Sequence, residues 1–326
     1  MSGTYYLFGG ELSYFTRKLE AALIFYGLDF ENRDKNSNNP TDLEARSGTH
    51  QVPVLQTPEN WMIGDTTPIM HLLDSRLPHR RMFPTGPLGI LTQVIEEYFD
   101  EWIARTMVHY RWHYPRSAEF ASLKMAGGNK EIAQRVRTWG PKACRATGTD
   151  SELQQKAAED EYTRILEMME LQLQETPYLL GDRPCAVDCV VLGSLRAHTN
   201  MDPDPKETTA KFKRVVAWSE GGADNWDGSG LLAPFPESTP FGRFILTEMA
   251  STYQPYVIAN QSAQVAGAKA FHASIYGEDV SYLSRPYPEK SRQMIVDRIG
   301  NTLSVEERQQ VLGWLRRVDL AYSFAG

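Results

Sequence analysis

A chain of 326 residues, 41% of them hydrophobic and 11% aromatic, has apolar side chain for more than one core; this excludes a disordered segment and predicts two domains with an extension. A formal net charge of −7 excludes a nucleic-acid backbone as the main partner, because that partner demands a basic stripe. Three cysteines, Cys144, Cys185 and Cys189, are too few and odd in number for a disulfide framework and fit a reducing compartment. No window reaches the apolar length of a membrane span, and the N-terminus has neither a basic nor an apolar leader region. A cytoplasmic location and no membrane partner are therefore expected.

Residues 4–8 are a short aromatic, β-prone run that stops at Gly9-Gly10, which predicts a first strand and a turn. Ser13 then stands at the N-cap of a helix whose apolar residues Phe15, Leu19, Ala22, Leu23 and Tyr26 recur at helical spacing and which Gly27 closes. Residues 29–34 read as a weaker strand, 36–40 as a loop of turn formers and 42–46 as a short helix. In His50-Gln51-Val52-Pro53-Val54-Leu55 a proline interrupts an apolar run where a strand should pair. Pro53 cannot donate a ladder hydrogen bond, Val52 must stay extended before it, and X-Pro is the one kind of peptide bond that takes the cis form at appreciable frequency. Backbone groups of Val52 turned out of the sheet would bind another peptide as an added strand does. Residues 54–57 and 61–63 read as a hairpin, and Asp65-Thr66 opens a last helix with Pro68 in its first turn and Ile69, Leu72 and Leu73 as its stripe. The order over residues 1–77 is βαβαββα.

Residues 78–88, with Pro78, Pro84, Gly86 and Pro87, read as a linker. Residues 89–220 read as all-helical, with patterns at 90–112, 151–175, 186–196 and 206–218; the third, almost continuously apolar, is the expected central helix. Residues 221–326 are expected to be a helical extension packed on this domain, with windows at 241–249, 264–270, 290–299 and 304–318.

A βαβαββα unit with a proline opening its third strand, followed by an all-α domain, resembles the cytosolic glutathione transferase superfamily. The overall class is α+β, thioredoxin-like in its first domain. Four runs carry the resemblance. Ser13-Tyr14-Phe15-Thr16-Arg17-Lys18-Leu19 is similar to the S-P-F-x-R-K-x run that starts the family's first helix. Gln51-Val52-Pro53-Val54-Leu55 is similar to the x-V-P-x-L run with the family's cis-proline. Asp65-Thr66-Thr67-Pro68-Ile69 is similar to E-S-x-A-I at the third helix. Residues 180–188 resemble L-x-G-D-x-x-S-x-A-D, with Cys185 in the place of the capping serine and Asp188 as its partner; a thiol is a poor acceptor, so the cap is expected to be weaker by about 1 kcal/mol.

The resemblance implies glutathione as co-substrate, a small electrophile as second substrate, and a homodimer. Glutathione's thiol is mostly protonated at neutral pH while its thiolate is the nucleophile, so the site must favour the thiolate with a hydroxyl donor and a helix N-terminus. Ser13 occupies that place, either as catalytic donor or as a helix cap alone, with Tyr14 and Tyr6 as alternative donors. The carried-over glutathione-binding residues are Phe15, Gln51, Val52, Pro53, Asp65 and Thr66. Val52 would pair through its backbone, Asp65 would take the γ-glutamyl ammonium, and Thr66 with the helix-start N–H groups would take its carboxylate. Gln51, ahead of His50 and Arg46, is the candidate for the glycyl carboxylate. Against this stands the plain reading of Asp65-Thr66 as a helix cap. The electrophile pocket is expected between the domains, at Leu12, Trp102, Arg105 and His109; the plain reading of that aromatic stripe is core.

No metal site is expected: Cys185 and Cys189 are four apart with no second pair, and Glu96, Glu97, Asp100 and Glu101 read as a solvated acidic face. With serine rather than cysteine at position 13, conjugation, addition–elimination or peroxide reduction is favoured over thiol–disulfide exchange. The rival readings are a binding or scaffold protein that keeps the fold without the chemistry, and a carrier for an apolar ligand.

Overall fold

The computed structural model describes residues 3–35 and 39–325; positions 36–38 of the expected 36–40 loop lie outside the described residues. The first unit runs β1 (Tyr5–Gly9), α1 (Tyr14–Tyr26), β2 (Phe30–Asp34), α2 (Pro40–Ser47), β3 (Val54–Gln56), β4 (Met62–Gly64) and α3 (Thr66–Arg76). Its sheet has the order β2-β1-β3-β4, with β1 and β2 parallel and β3 and β4 antiparallel to their neighbours. This is a thioredoxin-like layout. Helix α1 starts where the Ser13 hydroxyl accepts the Thr16 N–H at 3.2 Å and stops at Gly27, whose φ of 69° suits a residue without Cβ. Between these caps Leu19, Ala22, Leu23 and Phe25 are buried, each large apolar side chain contributing about 1.5–3 kcal/mol.

The helical part comprises α4 (Gly86–Glu97), a π-helical turn (Tyr98–Ile103), α5 (Ala104–His113), α6 (Pro115–Met125), α7 (Lys130–Arg137), α8 (Gly140–Ala146), α9 (Glu152–Glu175), α10 (Ala186–Ser194), α11 (Pro203–Thr209) and α12 (Lys213–Ser219). The expected helix over 206–218 is thus two helices, and α6 to α8 fill a stretch to which no element was assigned. Helix α10 is buried throughout and packs on α1 through Gly193, where a Cβ would stand 2.7 Å from the Lys18 nitrogen and from the Tyr14 carbonyl. At its start the thiol of Cys185 donates to Asp188 Oδ2 at 3.3 Å. The Asp188 carboxylate also takes the N–H groups of Cys185 at 2.8 Å and Leu179 at 2.9 Å, and so holds the cap.

The extension is not helical throughout. It runs α13 (Pro240–Ser251), α14 (Tyr253–Val265), β5 (Ala270–Ile275), β6 (Glu278–Leu283), α15 (Pro286–Thr302), α16 (Val305–Arg317) and α17 (Ala321–Phe324). In place of the helical window expected at 264–270, α14 ends and a hairpin begins. Tyr276 and Gly277, with φ of 52° and 78°, form the two-residue turn whose twist suits paired strands. The inward residues Phe271, Ala273, Ile275, Val280 and Tyr282 are buried with the period of two that a half-covered strand requires. Among the described residues no helix is long and apolar enough to cross a membrane.

Replacing Asp188 by Ala strands two buried N–H groups, and a loss of about 2–4 kcal/mol in urea denaturation is expected. Cys185→Ser keeps the same partner and should cost under about 1 kcal/mol by the same measurement.

Candidate functional site

The site forms where the Val52-Pro53 corner and the start of α3 face the π-helical turn. The Val52-Pro53 peptide bond is cis. A cavity of about 250 Å³ lies there. Phe15, Gln51, Val52, Pro53, Asp65 and Thr66 line one side of it, so the structure brings together all six residues to which the resemblance gave a glutathione-binding role. Asp100, Glu101, Trp102 and Arg105 line the side opposite, and Tyr256, Tyr282, Arg285 and Tyr287 of the extension complete the wall. A π-helical turn inserts residues into an α-helix and re-aims the side chains around it, a device common at functional sites. Here the turn carries Asp100, Glu101 and Trp102 together.

The acidic quartet is not a solvated face. Glu96 and Glu97 are almost wholly buried, Asp100 and Glu101 nearly so, and each has a partner. Lys18, fully buried on α1, pairs with Glu96 and with Asp100 Oδ1 at 2.5 Å. Glu101 lies 3.3 Å from Arg285, and Glu97 accepts from the hydroxyls of Ser291 and Tyr253. One cation between two carboxylates leaves a negative charge in excess, and burial penalises it. Burial pushes Glu96 up to about 7 and Glu101 up to about 8. Among the described residues no cluster of His, Cys, Asp and Glu has the arrangement of a metal site.

Asp65 adopts φ 73° and ψ 120°, an uncommon backbone for a residue other than glycine, and its side chain makes no cap bond to α3. Its carboxylate instead accepts from Lys290 Nζ at 2.8 Å. Ser13 is the N-cap of α1 and is not among the residues lining the cavity. The Tyr14 hydroxyl donates to the Phe99 carbonyl at 2.9 Å deep in the core, and burial pushes its pKa up, so it has no thiolate to serve. Tyr6 lies outside the cavity with the Arg33 guanidinium 3.5 Å above its ring.

Two residues expected in the electrophile pocket stand elsewhere. Leu12 is buried, its carbonyl accepting from Arg111 at 2.7 Å, and His109 is buried with Nε2 2.7 Å from Glu159. His109 ties α5 to α9 rather than facing the cavity, and Leu12, in the turn before α1, is tied to α5 through Arg111. Arg105 does line it, stacked 4.0 Å over Trp102 and bonded to Glu161 at 3.0 Å. Of the glycyl-carboxylate candidates, Arg46 is engaged with Asn60, and the His50 carbonyl accepts from Lys35.

Residues 7–81 match the glutathione S-transferase N-terminal domain, and residues 129–221 match the glutathione S-transferase C-terminal domain. The chain belongs to the glutathione transferase superfamily. It is similar to a solved glutathione S-transferase from Rhodospirillum rubrum at 16% identity, over 74% of this chain and 92% of that one, with a TM-score of 0.45. It is similar to one from Methylobacterium radiotolerans, solved with glutathione sulfonate, at 18% identity over 69% and 92%, with a TM-score of 0.44. A beta-etherase from Sphingobium sp. is 14% identical over 69% and 96%, with a TM-score of 0.47. No curated protein sequence matches.

Sequence reasoning missed Asp100, Glu101, Tyr256, Tyr282, Arg285 and Tyr287 as cavity walls. The alternation from Phe271 to Ile275 was the one available signal for the hairpin that brings Tyr282 there.

Lys18→Met leaves two buried carboxylates without a cation, and a loss of about 3–5 kcal/mol in urea denaturation is expected, partly recovered by adding Glu96→Gln. An acid whose folded pKa is raised stabilises fully below its unfolded value and loses that contribution as pH rises through the folded one. For Glu96 and Glu101 that window runs from near 4.5 up to about 7 and about 8. Stability should therefore decline across it, and urea midpoints of Glu101→Gln should decline less steeply than wild type.

Proposed function

We propose that this chain is a glutathione-dependent transferase in which the glutathione thiolate attacks a small electrophile held between the Val52-Pro53 corner and the π-helical turn. The observation that carries the reading is the cavity itself, which Phe15, Gln51, Val52, Pro53, Asp65 and Thr66 share with an aromatic wall of Trp102, Tyr256 and Tyr282. Asp65, free of any capping duty, is the partner for the γ-glutamyl ammonium. Thr66 and the N–H groups of α3 take the neighbouring carboxylate. Val52 pairs with the cysteinyl backbone.

Ser13 is the thiolate donor in this reading. Its hydroxyl oxygen accepts the Thr16 N–H while its own O–H stays free to donate, so capping α1 and stabilising a sulfur anion are compatible. In the reaction the sulfur forms a bond to the electrophilic carbon, and a leaving group departs or a proton adds to the adjacent atom. A homodimer in the cytoplasm belongs to the same proposal. The position of Ser13 off the cavity wall favours the alternative, a glutathione-binding or scaffold protein without turnover.

Calorimetry with glutathione, together with thiolate absorbance, separates the two. Wild type should bind, Asp65→Ala should weaken binding about tenfold, and Ser13→Ala should leave affinity similar while raising the bound thiol's pKa by about one unit or more. Binding with no shift in Ser13→Ala supports the scaffold reading. Absence of binding at millimolar glutathione removes the transferase reading and leaves a scaffold protein that does not use glutathione.

A further inference from the structure

The extension reaches the site through a residue to which the family resemblance gives no role. Lys290 lies early in α15, and its Nζ meets Asp65 Oδ2 at 2.8 Å. The other ion pairs at the cavity are of a different kind. Lys18 is fully buried against Asp100, and Arg285 holds Glu101 and the Tyr256 hydroxyl. The Lys290 side chain, by contrast, is 57% exposed and that of Asp65 24% exposed. Among the described residues, this is the one hydrogen bond of the Lys290 ammonium, and Asp65 Oδ1 accepts none. Two N–H donors of Lys290 and one carboxylate oxygen of Asp65 are thus left without a partner at adjacent side chains.

Their placement is also specific. Asp65 walls both the main cavity and a small adjoining one, and Lys290 walls only the small one. Lys290 therefore meets Asp65 from the flank without filling the space beside Val52 and Thr66. The ammonium is held there from behind: its neighbour Ser291 donates to Glu97, and the Tyr287 ring lies 5.7 Å from Nζ. An exposed ion pair of this kind adds little to folding. What it offers is a carboxylate and an ammonium set next to each other at the mouth of a cavity, and the ligand group complementary to that pair is an α-amino acid zwitterion, taken head to tail.

We infer that Asp65 and Lys290 form a charge clamp for the α-amino-acid end of glutathione, Asp65 Oδ1 accepting its ammonium and Lys290 donating to its α-carboxylate. This rests on the glutathione reading above and adds to it a binding residue from the extension. The ligand's carboxylate then has both the start of α3 and a lysine, and its ammonium keeps a carboxylate oxygen that Lys290 does not use.

The test is titration calorimetry on wild type, Lys290→Ala, Lys290→Arg and Asp65→Asn. The ligands are glutathione, its analogue with the γ-glutamyl α-carboxylate converted to an amide, and its analogue lacking the α-amino group. Lys290→Ala should weaken glutathione binding about five- to tenfold and change the affinity for the α-amide analogue less than about twofold. Lys290→Arg should restore most of the loss. Asp65→Asn should show the reciprocal pattern, losing glutathione and leaving the deamino analogue unaffected. Tighter glutathione binding by Lys290→Ala would mean that Lys290 competes with the ligand's ammonium, and equal loss for glutathione and the α-amide would mean a merely structural role; either overturns the clamp. An unchanged affinity in Lys290→Ala overturns it too, while leaving the glutathione reading intact. A wild type that binds none of the three ligands overturns the glutathione reading itself and the clamp with it.

Discussion

The arrangement depends on one buried amine. Lys18 is fully inaccessible, and a lysine taken out of water stays charged only if anions replace the solvent it has lost. Glu96 and Asp100 do so, and the Thr67 hydroxyl adds a contact at 3.3 Å. A single Nζ thereby ties α1 to α3, to α4 and to the π-helical turn. Gly193 brings α10 against the backbone of α1 at the same level, so the first unit cannot slide along the helices without uncovering a charge or meeting a clash. That restraint keeps Val52 and Trp102 on the walls of one cavity.

What could be read from the sequence was what repeats locally. Ser13 and Gly27 at the ends of an apolar stripe specify α1, and a proline between two β-prone runs marks the corner at residue 53. The acidic quartet was misread for a physical reason: carboxylates at successive and fourth positions look like one solvated edge of a helix unless their cations are known. Those cations, Lys18 and Arg285, stand 82 and 184 residues from their partners, and no local period reveals a pair so distant. His109 failed differently. Its spacing from Arg105 was right, but α5 presents both a cavity side and a packed side to its neighbours, and one turn of helix does not say which is which.

The hairpin shows the same limit from the other side. Its alternation was legible, but residues 264–270 carry apolar groups at a spacing that also fits a helix, and length alone did not decide between them. The turn at Tyr276-Gly277 decides it, since two consecutive left-handed residues close strands and end helices. Through that hairpin, Tyr282 reaches Trp102 and Tyr256 with ring centroids 6.5 and 5.2 Å apart. The extension lies beyond residue 221, where the family match ends, so the Val52-Pro53 side of the cavity falls within the family pattern and Tyr256, Tyr282, Arg285 and Tyr287 fall outside it.

Charge explains why that wall needs basic residues. In the proposed reading, glutathione would bring two carboxylates and one ammonium to a cavity that already holds Asp65, Asp100 and Glu101. Unanswered, three more anions in a partly desolvated space would repel it. Each of the three has a cation beside it: Lys290 for Asp65, Arg285 for Glu101, and for Asp100 the Lys18 that it shares with Glu96. Burial also raises the pKa of Glu101 to about 8, which lessens the negative charge it brings to the cavity near neutrality. Two of the three cations come from the extension. Without it, Asp65 on the first unit and Glu101 on the wall across from it would both stand without a cation, and the cavity would repel an anionic ligand from both sides.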